Sequence, residues 1–120
     1  MGDGTQVGLL VPNLFLRVPV EAAARAAGLR TLPLADAEQA SRSGCRVVIA
    51  DLEALGGDPV AAVRGLVSAG KTVLGFGPHV RGEMLAAARA AGAVALPRSV
   101  FLERLPELLA ATTGSTGGSL

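Results

Sequence analysis

Few side chains in this sequence are suited to chemistry, and the clearest candidate is an aspartate. Asp51 directly follows the apolar run Val47–Ala50, so one carboxylate stands where a hydrophobic strand would meet water. The carboxylate is either a reactive group or an acceptor for nearby backbone amides, which is the ordinary role of an aspartate at a turn. We favour the second role, with Arg98 as a candidate ionic partner.

The other reactive side chains lack the partners that their chemistry needs. His79 is the only histidine and Cys45 the only cysteine, so they supply neither a metal site nor an internal disulfide. The glycine-rich segment 75–82 lacks the G-x-G-x-x-G spacing of nucleotide loops, because Val80 occupies the position of the third glycine. The sequence therefore predicts a protein that is not an enzyme and that holds no metal and no cofactor.

Composition restricts the classes of partner. The chain has 120 residues, half of them apolar, which is enough for one core. Its net charge of +1 gives no strong field for nucleic acid or anionic lipid, and three phenylalanines without Trp or Tyr offer little surface for stacking bases. The apolar runs reach about four residues, where a bilayer span needs about 20. We expect a cytoplasmic protein that binds neither nucleic acid nor membranes.

Short apolar runs alternate with alanine-rich segments of helical period, the pattern of βα units around a parallel sheet. Strands are predicted at residues 7–11, 29–34, 47–50, 72–76 and 93–96. The first and third are apolar throughout, as in strands that helices cover on both faces. Pro33 withholds a backbone donor, so the second strand belongs at the edge of the sheet.

Helices are predicted at residues 21–27, 36–42, 59–69, 83–91 and about 100–111. Pro19 is expected at the first turn of the first helix or at a kink, and Asn13 is expected to cap a helix rather than bind a metal. Asp58 and Pro59 form a strong start signal for the third helix. We predict one domain over residues 1–111 and a disordered tail over residues 112–120.

Units of this length predict an α/β fold, a single doubly wound five-stranded parallel sheet of order 2-1-3-4-5, flavodoxin-like, with helices on both faces. Ligands of such sheets bind at the carboxyl ends of the strands. The residues expected there are Pro12, Asn13, Asp51, Gly77, His79, Pro97, Arg98 and Ser99.

Two stretches of the sequence carry a resemblance to a known family. VVIADL looks like the third strand of the receiver domain of two-component response regulators, with Asp51 in the place of the phospho-accepting aspartate. RAAGAVALPRSVFLERLPELLA looks like the receiver segment from the fourth helix to the last helix. The resemblance covers nearly the whole chain, and it implies phosphoryl transfer to aspartate with a magnesium ion, a hydroxyl group and a cation.

The sequence departs from the receiver pattern at the positions that carry this chemistry. The acidic pair expected after the first strand is replaced by Pro12 and Asn13, the hydroxyl residue by Gly77 and the lysine by Ser99, so only Asp51 keeps its place. Without carboxylates for magnesium and a cation for the phosphoryl charge, transfer is disfavoured. We predict a stand-alone pseudo-receiver, non-catalytic, that acts through protein–protein contacts in bacterial signalling or regulation.

The resemblance also implies where a partner would bind, because receivers commonly use the fourth helix, fifth strand and fifth helix. The corresponding residues are Arg81, Met84, Arg98, Phe101 and Arg104. The expected partner is another protein or a second copy of the chain.

Two alternatives remain open. The first is an atypical response regulator that accepts phosphate on Asp51. The second is a flavodoxin-like protein that binds a small molecule or anion through the loop after the fourth strand, with Arg81 and Arg98.

Overall fold

A computed structural model of the chain describes residues 6–114. The strands are β1 (Gln6–Leu10), β2 (Arg30–Pro33), β3 (Val47–Asp51), β4 (Thr72–Gly77) and β5 (Val94–Pro97). The helices are α1 (Leu14–Ala26), α2 (Ala37–Arg42), α3 (Pro59–Ser68), α4 (Gly82–Ala90) and α5 (Arg98–Leu109). Short 3-10 turns follow β3 (Leu52–Leu55) and β4 (His79–Arg81).

The strands form one parallel sheet of order β2-β1-β3-β4-β5, which confirms the predicted fold class and strand order. β2 lies at the edge, as its proline predicts. The register pairs Ala50 with Leu10 and Asp51 with Phe76. The carboxyl ends of the central strands therefore meet at one edge of the sheet, which we call the carboxyl edge, and their amino ends meet at the opposite amino edge.

Helices cover both faces of the sheet. On one face, α1 and α5 pack around Phe76 and Phe101, whose ring centroids lie 5.1 Å apart. On the other face, residues of α2, α3 and α4 such as Val63 and Leu85 pack against the other side chains of the strands. All five residues of β3 are buried, which agrees with its continuous apolar run. Of the helices in residues 6–114, none is long and apolar enough to cross a bilayer.

Side chains begin three of the helices. The Asn13 Oδ1 accepts a hydrogen bond of 2.8 Å from the Phe15 N–H at the start of α1, which confirms its predicted capping role. The Asp36 carboxylate accepts from the Gln39 N–H at the start of α2, at 2.8 Å. Asp58 caps α3 in the same way, with Pro59 in the first helical position, as predicted.

The prediction that the first helix begins at Glu21 is wrong, because α1 begins at Leu14. Pro19 lies inside the helix and not in its first turn, and the predicted alternative, a kink at Pro19, stays a prediction. A proline this close to the start removes one intrahelical hydrogen bond, and the side-chain cap at Asn13 together with the burial of Val20 and Ala24 holds the helix across it.

The last helix also begins earlier than predicted, at Arg98, and contains Pro106. Its end widens into a π-helical turn over Ala110–Gly114, where the Thr112 hydroxyl donates to the Leu108 carbonyl at 2.9 Å. The predicted tail thus overlaps this turn, and its residues 115–120 lie outside the described part of the chain. The domain boundary at residue 111 stays a prediction.

At the amino edge, the only lysine of the chain joins two elements. The Lys71 Nζ donates to the carbonyl oxygens of Ser43 at 2.6 Å and of Cys45 at 2.7 Å. These carbonyls belong to the segment that leads into β3, whereas Lys71 directly precedes β4. The Cys45 thiol is free and buried, as predicted for a cysteine packed as a small apolar group.

Candidate functional site at the carboxyl edge

The structure brings the predicted site residues to the carboxyl edge. Asp51 ends β3, and Pro12 and Asn13 follow β1, the neighbouring strand. On the other side of Asp51, Gly77 ends β4 and pairs with Pro97 at the end of β5. The strand order alone produces this arrangement, since the carboxyl ends of adjacent parallel strands share one edge.

The Asp51 side chain is buried, and its carboxylate caps the turn that follows β3. Its side chain is at the end of β3 in a residue that is only 7% exposed, and its Oδ1 accepts a hydrogen bond of 3.2 Å from the Glu53 N–H. That bond caps the 3-10 turn Leu52–Leu55. Burial raises the pKa of Asp51 above its ordinary value of 3.8, and the Glu53 N–H and the positive charge of Arg98 oppose the rise.

Arg98 influences Asp51 without pairing with it. Within residues 6–114 no ion pair joins the two side chains, although the positive charge of Arg98 lowers the pKa of Asp51. The Nε of Arg98 is buried and has no hydrogen-bond partner. The predicted Asp51–Arg98 contact is therefore not formed, and a guanidinium N–H remains unsatisfied near the site.

The residues after β1 do not fit a magnesium ion. The Asn13 Oδ1 already accepts from backbone N–H groups of α1, and the Pro12 side chain has no donor atom. In the part of the chain that the structure describes, no three His, Cys, Asp or Glu side chains cluster closely enough to hold a metal. Magnesium needs oxygen ligands, carboxylates above all, and Asp51 is the only carboxylate among the predicted site residues.

Gly77 stands where the receiver pattern has a hydroxyl residue, and side chains of α4 fill the space above it. Gly77 is buried, and a Cβ built on it would lie 2.9 Å from the Met84 Cε and 3.5 Å from the Leu85 Cδ2. A serine or threonine at this position would need the Met84 side chain to move. The space that a side chain at Gly77 would occupy, at the end of β4, is thus filled by apolar atoms of α4.

The remaining predicted site residues lie on the surface. His79 is exposed in the turn after β4, and Ser99 is exposed in the first turn of α5. Arg81 forms an ion pair with Glu53, with 3.2 Å between its Nη1 and the Glu53 Oε2. This ion pair links the turns after β3 and β4. It engages the Arg81 guanidinium, which was expected to be available for binding anions.

The predicted partner surface needs correction at two residues. Phe101 is fully buried against Phe76, and Met84 is 8% exposed beneath Gly77, so neither side chain is available to a partner. Arg104 is exposed and forms an ion pair with Glu107 at 3.4 Å. Met84 and Phe101 lie on the sides of α4 and α5 that face the sheet, and a resemblance to receivers does not by itself indicate which side that is.

The carboxyl edge has a small cleft. A cleft of about 60 Å³ opens between the ends of β1 and β2 and the turn after β3, lined by Leu10, Pro12, Leu34, Asp36 and Leu55 and their neighbours. Sites for small molecules usually have volumes of roughly 300–1,000 Å³. This cleft is too small for a nucleotide or a comparable metabolite.

Sequence reasoning missed a group of exposed apolar residues at the start of α1. Leu14, Phe15 and Val18 are 56%, 88% and 53% exposed. Their signal was present in the sequence, because a capping asparagine followed by residues at helical spacing marks a helix start. The predicted start at Glu21 placed them in a connection, where their common face could not be recognised.

Comparisons with known proteins agree with the fold. No protein-family model and no curated protein sequence matches the chain. Among solved structures, a response regulator receiver domain from Clostridium thermocellum has a TM-score of 0.75 at 12% identity and covers 94% of this chain and 97% of its own. A receiver domain from a Francisella response regulator has a TM-score of 0.75 at 13% identity, with coverages of 93% and 98%.

A third similar structure is the receiver domain of a sensor histidine kinase from Pseudomonas aeruginosa, solved with a magnesium ion coordinated in its active-site cleft. It has a TM-score of 0.73 at 19% identity and covers 92% of this chain and 98% of its own. Identities this low carry the fold and no residue-level function. The chain has the fold of response regulator receiver domains over most of its length.

Proposed function

We propose that this chain is a pseudo-receiver, a receiver-fold protein that acts in bacterial signalling or regulation through contacts with other proteins and without phosphoryl transfer at Asp51. Phosphoryl transfer in a receiver needs a metal, a hydroxyl and a cation around the acceptor carboxylate. The proposal therefore depends on what surrounds Asp51, the residue to which the sequence resemblance assigns the acceptor position.

One observation carries the proposal: the groups beside Asp51 are used elsewhere or absent. The oxygen of Asn13 caps α1, Gly77 packs against Met84, and Arg98 does not pair with the carboxylate. A phosphoryl group arriving at Asp51 would bring negative charge to a buried position where residues 6–114 offer no cluster of carboxylates to hold a divalent cation.

The test is phosphorylation by a small phosphodonor. The protein is incubated with acetyl phosphate and magnesium, and its mass is followed beside Asp51→Asn and a receiver domain that is known to be phosphorylated. We expect no phosphoryl adduct on this protein, while the positive control gains one. An adduct that is present in the wild type and absent in Asp51→Asn would overturn the proposal and support the atypical response regulator.

Anion binding is a second candidate, which one observation favours. The Arg98 Nε has no hydrogen-bond partner, and α5 begins at this residue without a side-chain cap. Arg81, the other cation expected to contribute, is neutralised by Glu53. A thermal-shift titration with inorganic phosphate tests this candidate. Stabilisation that is lost in Arg98→Met and kept in Arg104→Met would support it, and no stabilisation would exclude phosphate as the ligand.

A further inference from the structure

The outward face of α1 is apolar along almost its whole length. Seven of its residues are exposed, and one of the seven is charged. They are Leu14, Phe15, Val18, Pro19, Ala22, Arg25 and Ala26. The opposite face of the same helix is also apolar and packs into the core through Val20 and Ala24. We call the seven exposed residues the outer α1 face.

No other described helix has such a surface. Among residues 6–114, four large apolar side chains are markedly exposed, and all but Val80 belong to the outer α1 face. The exposed residues of α3 include Arg64 and Ser68, and those of α4 include Glu83 and Arg89. A helix that is apolar on both sides is ordinarily buried on both sides, so the outer α1 face indicates a contact that residues 6–114 do not supply.

The distribution of size along this face indicates what covers it. Its bulky residues, Leu14, Phe15 and Val18, lie in the amino-terminal half of α1, whereas the carboxyl-terminal half presents the small Ala22 and Ala26. If two such helices cross antiparallel, the bulky half of each lies over the small half of the other. A two-fold axis between identical chains produces this arrangement at both ends at once.

Charge is compatible with the same arrangement. Arg25 is the only charged residue of the outer α1 face, and an antiparallel pair places its two copies at opposite ends, where they do not repel each other strongly. Arg17 and Glu21 lie beside the face and pair with each other, with 3.8 Å between the Arg17 Nε and the Glu21 Oε2. The net charge of +1 adds little repulsion between two chains.

We infer that the occupant of the outer α1 face is a second copy of this chain, bound through an antiparallel α1–α1 pair around a two-fold axis. The inference deepens the proposed function, because it names the surface and the partner of a protein that acts by contact. A helix of this length is about 20 Å long, so the buried area is at the small end of specific interfaces. We therefore expect the dimer to dissociate on dilution, so that its fraction depends on the protein concentration.

Sedimentation equilibrium from low micromolar to millimolar protein tests the inference with four variants. Phe15→Glu places a charge in the bulky half, and Ala22→Glu places one in the small half. Val80→Glu and Ala86→Glu are the matched controls, since both residues are exposed and lie away from α1. All four changes are at exposed positions, and circular dichroism verifies that each variant is folded.

We expect the wild type and both controls to dimerise with similar dissociation constants, and Phe15→Glu and Ala22→Glu to weaken the dimer by about tenfold or more. A wild type that stays monomeric at millimolar concentration overturns the inference. So does a dimer that only the control variants weaken, because it would use another face. The phosphorylation assay is independent of these outcomes: a dimer with a phosphorylated Asp51 contradicts only the proposed function, and a monomer without an adduct contradicts only this inference.

Discussion

At the amino edge of the sheet one ammonium group satisfies two carbonyl oxygens, whereas at the carboxyl edge a carboxylate and a guanidinium lie near each other without forming an ion pair. Lys71 donates to Ser43 and Cys45 at 2.6 and 2.7 Å. The Asp51 Oδ1 accepts a hydrogen bond of 3.2 Å from the Glu53 N–H, and the Arg98 Nε has no hydrogen-bond partner. At the amino edge the charged group therefore joins two elements, whereas at the carboxyl edge the charged groups are incompletely paired.

The difference lies in the contacts that stabilise each edge of the sheet. The hydrogen bonds of Lys71 at the amino edge do not involve the carboxyl edge, whereas both apolar clusters extend to the carboxyl edge through residues such as Leu52 and Phe76. At the carboxyl edge, the Asn13 side chain caps α1 and Gly77 lies against the Met84 side chain. The carboxyl edge is thus stabilised by apolar packing and side-chain caps, and the amino edge by the hydrogen bonds of Lys71.

The largest effect is expected from Lys71→Met. The substitution leaves two partly buried carbonyl oxygens without their charged donor, and hydrogen bonds to charged groups contribute about 1.5–3 kcal/mol. We expect a loss of about 3 kcal/mol in the free energy of unfolding, measured by urea denaturation. Arg42→Met is the control, because its ion pair with Glu38 is exposed and worth about 0.5 kcal/mol or less. Equal losses in both variants would remove the contrast between the edges.

Gly75→Ala tests whether apolar packing holds the carboxyl side of the sheet. A Cβ at Gly75 would meet three carbon atoms of the fully buried Leu52 at 2.9–3.2 Å, so the side chain cannot simply swing away. We expect a cost of about 1–3 kcal/mol in urea denaturation. Gly65→Ala is the matched control in α3, where a Cβ meets no atom within 4 Å, and it should stabilise the protein by about 0.5–1 kcal/mol. A neutral Gly75→Ala would contradict tight packing at this position.

Asn13 distinguishes a capping group from a metal ligand. Asn13→Ala removes the acceptor of the Phe15 N–H, and we expect a loss of about 1 kcal/mol. Asn13→Asp should retain the stability, because aspartate caps as well as asparagine does. Urea denaturation with and without magnesium measures both variants. If magnesium stabilised the wild type and not Asn13→Ala, the residue would be a ligand and the capping role secondary.

The smallest effect concerns the charge of Asp51 and depends on pH. Burial raises its pKa, so the folded protein binds this proton more tightly than the unfolded chain does. The contribution of Asp51 to stability therefore falls as the pH rises from 3.8 through the raised pKa of the folded state. Asp51→Asn keeps an acceptor for the Glu53 N–H and carries no charge, so it should be more stable than the wild type at neutral pH, with the gain vanishing at acidic pH.

Urea denaturation of both proteins across this pH range gives the comparison. A wild type that is the more stable protein at neutral pH would mean that the attraction to Arg98 outweighs burial.

Much of the fold was predictable because its signals are local. The run Val47–Ala50, the cap at Asp58 and the edge proline Pro33 each dictate their own element, and alternating elements of this length leave few sheet orders. The start of α1 was missed because a proline inside a helix reads as a boundary. The same misreading hid the common face of Leu14 and Phe15.

The site was predictable in its position and less so in its contacts. Phe101 shares its helical spacing with Leu105 and Leu109, which predicted burial, and assigning it to a partner surface on family grounds conflicted with that spacing. The missing Asp51–Arg98 pair depends on side-chain conformation, which composition does not determine. The bonds of Lys71 span 26 and 28 residues of sequence, so no local pattern could indicate them.

Because the chain has a single lysine, local opening of the amino edge can be measured by the reactivity of one side chain. All ε-amine chemistry in the chain is confined to one position, and there the amine is held between two carbonyl oxygens. An acylating reagent followed by peptide mapping would therefore measure how often the amino edge opens, at one residue and without an engineered probe. The rate of acylation at Lys71, compared between conditions, would report how the equilibrium for breaking these two hydrogen bonds changes.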